Sequence, residues 1–191
     1  MRSLRKASTL VFAGTLLIGT AGAQGTATGA SPKPPDSPSK VLLDSWNDIG
    51  RKLTAMAEDM PEDKYDFKPN PAERSFAEQL LHAAGANYFF INPVKGLKPP
   101  EGDPKRAEYK TKAAVIDFVK KSFADGAALI QSKGDSGLND LLIDPFSKQP
   151  AQARFSDFAW GFIEHGGEHY GQLVVYYRVA GLVPPESRPK K

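Results

Sequence analysis

The chain has no cysteine and only three histidines among its 191 residues. Without cysteine there is no disulfide framework, no thiolate nucleophile or ligand, and no cysteine to carry a lipid anchor. Long apolar runs are also missing. The one extended stretch, LVFAGTLLIG, is too short to span a bilayer stably and no stop-transfer pattern follows it. An excess of positive charge is present only on paper. The formal +3 comes from 25 Lys and Arg against 22 Asp and Glu, and Arg2, Arg5 and Lys6 all precede that apolar stretch. Setting these three aside leaves 22 against 22, a neutral body without the footprint of a nucleic-acid binder. Finally, no segment shows sustained period-two alternation, so no sheet is expected.

What is present begins with a basic start, a short apolar core and the small residues Ala21-Gly22-Ala23. This is the anatomy of a secretory signal peptide over residues 1–23. It predicts export to the periplasm or beyond, a mature chain starting near Gln24, and no stable membrane insertion after cleavage. Residues 24–38, largely QGTATGASPKPPDSP, are small, polar and proline-rich and read as a disordered linker. The remaining stretch, 39–185, suits one folded domain, and 186–191 reads as a flexible tail.

Four helical stretches account for that domain. In the first, Leu42, Leu43, Trp46, Ile49, Leu53 and Met56 recur at spacings of three and four, after Ser37-Pro38 as a start signal and before Pro61 as a stop. The second opens on Ser75-Phe-Ala-Glu78, a capping box, and is expected to stop before Pro93. The third, from Thr111, carries Val115, Phe118, Val119 and Phe123 on one side and ends at Gly134. The fourth runs from about Ser156 to Ala180, with Gly181 closing it and Pro184-Pro185 beyond. Such helices pack as an all-α four-helix bundle. Its connections over 92–110 and 134–155 are far longer than the roughly 2–8 residues bundle turns need. They are expected either to cross over between neighbours or to fold over one end as a lid.

The histidines stand out in that frame. His165 and His169 lie four apart in IEHGGEHYGQLVVYYR, on a stripe shared with Phe158, Phe162, Gln172, Leu173 and Tyr176. Two imidazoles on an inward face need donors or a cation. Spacing alone leaves a metal site and a pair of hydrogen-bonded core histidines equally open. The third, His82, lies within the second helix. Gly85 and Ala86 follow it by a turn and Gly166 and Gly167 lie beside the pair, so small residues are expected to leave a pocket. The glycines are read as keeping an open side for a ligand. The segment also fits H-x-x-E-H, an inverted zinc-protease motif, but the only later acid, Glu186, lies in a proline-flanked tail. Glu164 and Glu168 point about 100° off the histidine stripe, toward a solvated or interhelical face. Gln172 is one turn past His169 and can orient a ligand histidine, contact substrate, or bond a neighbouring helix.

MPEDKYDFKPNPAERSFAEQLLHAA, followed far downstream by HGGEHYGQLVVYYRVAGLVPP, resembles the DinB-like superfamily, which includes bacillithiol transferases. The resemblance rests on Tyr65-x-Phe67-x-Pro69, a histidine in the following helix, H-x-x-x-H-x-G-Q and a terminal Pro-Pro, and covers roughly 40–185. It implies a four-helix bundle with a long crossover and a divalent metal, zinc, nickel, iron or manganese, held by His82, His165 and His169. These are all the histidines of the chain. The resemblance further implies a small-molecule substrate and, as in the family's thiol-dependent members, a low-molecular-weight thiol. Export departs from that picture, because the cellular thiol pool is mainly cytoplasmic. Three functions therefore stand side by side: a thiol-using metal-dependent transferase, a hydrolase using activated water, and a non-catalytic metal- or ligand-binding module of the envelope. A homodimer is compatible with the sequence.

Overall fold

The computed structural model describes residues 36–189 except 145, 148 and 150. The leader-like segment 1–23 and nearly all of the 24–38 segment lie outside the described residues. Four helices build the domain: α1 (Pro38–Asp59), α2 (Phe76–Val94), α3 (Lys112–Lys133) and α4 (Phe155–Val179). Each start has a local cause. Ser37 and Thr111 accept from the third residues of α1 and α3, and Ser75 and Glu78 close the expected capping box on α2. The Tyr65-x-Phe67 motif completes that start, since Phe76 N–H donates to Phe67 O and Ala77 N–H to Tyr65 O. A motif legible as a family signature is thus a backbone brace on the helix that bears His82.

Two boundaries and one element differ from expectation. Helix α2 continues through Pro93 to Val94 rather than stopping before the proline. A proline there forfeits a single backbone hydrogen bond in the final turn, and Leu97 N–H donates to Asn92 O to close the end. The connection 134–155 holds a small antiparallel ribbon, β1 (Leu141–Ile143) with β2 (Gln152–Arg154), although no sheet was expected. Three residues per strand are too few to register as alternation. At the C-terminal end, Gly181 takes φ 75° and Leu182 N–H donates to Tyr177 O, ending α4 as the glycine signalled. Beyond 185, where a flexible tail was expected, a 3₁₀ turn over Pro185–Ser187 follows. There Glu186 pairs with Arg51, and Arg188 makes a two-pronged pair with Asp59 at 2.5 and 2.7 Å.

Helix α1 packs on α3 and α4, and α2 packs on the same two, so the order around the bundle is α1, α3, α2, α4. Helices α1 and α2 are therefore diagonal, as are α3 and α4. The core has two aromatic foci. Trp46 is fully buried against Phe90 and Phe123, and its indole N–H donates to Phe123 O at 2.8 Å. Elsewhere Phe76 meets Tyr65 and Tyr177 edge-on, with the Tyr177 hydroxyl donating to Met56 O. Trp160 is 44% exposed. No described helix is long and apolar enough to cross a membrane.

Candidate metal centre

Adjacent helices α2 and α4 bring the three histidines together. One ring nitrogen from each of His82, His165 and His169 lies within 4.8 Å of the others. His165 and His169 approach through their Nε2 atoms, 3.0 Å apart. Their opposite nitrogens are treated differently. His169 Nδ1 lies 3.0 Å from Gln172 Oε1 and 2.7 Å from the Gln79 amide nitrogen, and Gln79 Nε2 donates to Gln172 Oε1. His82 Nδ1 is bonded to Asp103 Oδ1 at 2.8 Å, leaving Nε2 for the cluster. His165 Nδ1 is buried without a protein partner.

Asp103 was not singled out in the sequence. It belongs to the 92–110 connection, which packs across α2 at Gly85. A Cβ on Gly85 would come within 2.6 Å of Pro104 Cδ, so the bare backbone lets the loop lie close enough for Asp103 to reach His82. The only advance signal was the small residue one turn after a histidine, whose purpose is loop contact. The expectation that the glycines hold an open ligand side is not met. Gly166 is buried, its Cβ position 3.0 Å from Ile49, so it serves the close approach of α4 to α1. Gly167 is exposed with nothing near it. Glu164 and Glu168 are exposed, as expected.

Electrostatics suit neutral rings. Burial, then the neighbouring His169 and His82, pushes the His165 imidazole down to about 4. Burial and His82 likewise lower His169, partly offset by the Gln172 hydrogen bond. Burial alone would raise Asp103, but its hydrogen bond to His82 and the charge of Arg74 hold it below the ordinary carboxylate value. Neutral imidazole is the ligating form, and a carboxylate behind a histidine fixes its tautomer and raises its basicity. Three converging imidazoles, two with braced outer nitrogens, fit a borderline divalent cation and leave coordination positions for other ligands.

Two cavities flank the cluster. One, about 570 Å³, reaches His169 and Gln172 past Asn70, Glu73, Arg74 and Gln79. The other, about 500 Å³, reaches His82 and His165 between α2, α4 and the ribbon. Gln172 thus both touches a candidate ligand and faces a cavity.

The family model of the DinB superfamily matches residues 46–173, and the chain belongs to that superfamily. Among solved structures it is similar to a DinB-like protein from Bacillus cereus ATCC 10987, at 23% identity and TM-score 0.64, over 76% of this chain and 95% of that one. It is also similar to YfiT from Bacillus subtilis, described as a probable metal-dependent hydrolase with an unusual four-helix bundle topology. That match has 12% identity and TM-score 0.62, over 80% and 94% of the two chains. A conserved protein from Enterococcus faecalis aligns at 15% identity and TM-score 0.60, over 76% and 98%. These likenesses establish the fold. Comparison with the curated proteins gave no significant match.

Proposed function

We propose that this chain is a metal-dependent enzyme in which His82, His165 and His169 hold one divalent cation beside which a small nucleophile attacks a small-molecule substrate. The observation that carries the reading is the convergence of all three histidines, from two helices, with Asp103 and Gln172 behind two of them. A divalent ion held there would act as a Lewis acid and lower the pKa of water or of a thiol. The chain's residues do the positioning: Asp103 orients His82, Gln79 and Gln172 orient His169, and burial keeps His165 and His169 neutral. Hydrolysis is the reaction we favour, because the cavity at His169 is lined by polar groups that admit water, and because YfiT carries a hydrolase description. Transfer to a low-molecular-weight thiol would use the same centre. The inverted zinc-protease alternative gains no support, since Glu168 is exposed and Glu186 is paired with Arg51.

The test is elemental analysis of protein loaded in turn with zinc, nickel, manganese and iron. Wild type is expected to keep about one ion per chain and His82→Ala to lose it. A wild type that retains no divalent metal would end the proposal, and a His82→Ala variant that binds normally would remove His82 from the site. Loaded protein would then be offered activated esters with and without added thiols. Turnover by water alone supports the hydrolase, strict thiol dependence the transferase, and neither the binding module.

A further inference from the structure

The two sides of the histidine cluster differ in chemistry. Beyond His82 and His165 the cavity wall is made by Phe89, Phe146, Phe158 and Phe162 with Ala86, and its charged groups other than the histidines are the carboxylates of Asp144 and Asp157. Asp157 is paired with Arg154, whose Nε lies 3.6 Å from its Oδ2. Its volume of about 500 Å³ falls within the range of small-molecule sites. Along α4, Asp157 precedes His165 by eight residues, which at roughly 1.5 Å per residue is about 12 Å, the length of a two-ring molecule. Phe146, 59% exposed, stands on the connection next to the ribbon with its ring 5.9 Å from Phe89 and 6.2 Å from Phe162. Four rings surrounding a groove offer offset and edge-on contacts to another flat ring.

We infer that the substrate is an aromatic small molecule whose ring lies among Phe89, Phe146, Phe158 and Phe162 and whose reactive group reaches His82 and His165. This rests on the metal-centre reading above and adds the substrate class to it.

Two titrations of the full chain test the inference. In the first, cobalt-loaded protein is titrated with imidazole and 4-phenylimidazole, read by the visible cobalt bands. The phenyl group is expected to tighten binding at least tenfold over imidazole, as burial of a ring in an apolar groove requires. Phe158→Ser and Phe146→Ala should each reduce the gain while leaving imidazole itself unaffected. Equal affinity for imidazole and 4-phenylimidazole overturns the inference and leaves the metal reading intact. In the second, chelator-treated protein is titrated with 2-naphthylmethanol, read by the probe's fluorescence anisotropy. Saturable binding weakened by Phe158→Ser supports the groove even if cobalt is not taken up, an outcome that would sink only the metal reading. No saturable binding in wild type overturns the groove.

Discussion

The imidazole of His165 and the carboxylate of Asp103 set what can be measured on single side chains. In the metal-free protein His165 and His169 are held neutral by burial, so the unfolded chain binds more protons than the native one between the ordinary histidine value of about 6.5 and the folded value, about 4 for His165. Stability therefore rises with pH across that window and is lost as pH falls through it. Thermal melts of chelator-treated protein should show Tm dropping by several degrees from pH 7 to pH 4, and His165→Gln should flatten the slope. An unchanged Tm would contradict the burial assignment. For Asp103, truncation to Asn removes the charge behind His82 while keeping the shape. Metal affinity is expected to fall by roughly 10–100-fold, with Tm of the metal-free protein nearly unchanged because Asp103 is exposed. A competition titration against a chromophoric chelator reads this directly.

Among the elements, Gly85 and Gly126 show how close approach is built. A Cβ at Gly126 would lie 2.0 Å from Trp46 Cζ2, a fully buried ring with nowhere to move. Gly126→Ala should thus cost about 1–3 kcal/mol or more by denaturant unfolding, against the roughly 1 kcal/mol that helix propensity would return. Gly85→Ala meets Pro104 instead, on a surface connection that can shift. Its expected signature is a weakened metal site, as in Asp103→Asn, with little loss of stability. These elements also show what was legible beforehand. Ser75, Glu78, Gly134 and Gly181 each announce a boundary through local chemistry, and the inward stripe of α4 follows from a period of 3.6. The histidine triad could be read because it uses every histidine of the chain. Asp103, Gln79 and the phenylalanine groove could not, because they depend on where a 17-residue connection between Val94 and Lys112 lies and on which helices are neighbours.

For the whole molecule, the described domain begins at the cap Ser37, so a chain starting at Asp36 is expected to match the full chain in Tm within about 2 °C. A larger loss would show that the preceding residues pack on the bundle. We also propose that residues 1–23 are removed during export. Intact-mass measurement should give native protein beginning near Gln24, and retention of the leader would refute it. At the other end, Arg188→Ala should lower Tm only slightly, as loss of a surface ion pair with Asp59 does. The diagonal placement of α1 from α2, and of α3 from α4, carries a kinetic consequence. Of the three sequential helix pairs, only α2 and α3 are spatial neighbours, so α1 must wait for chain far downstream before its apolar face is covered. Closing such distances costs entropy before burial repays it, and folding rates fall as contacts become less local. The α2–α3 hairpin is then the natural nucleus. Substitutions such as Val119→Ala, on α3, should slow refolding, whereas Leu42→Ala, on α1, should mainly hasten unfolding. Assembly would thus end with α1 and α4 closing the bundle, completing the histidine cluster in its last steps.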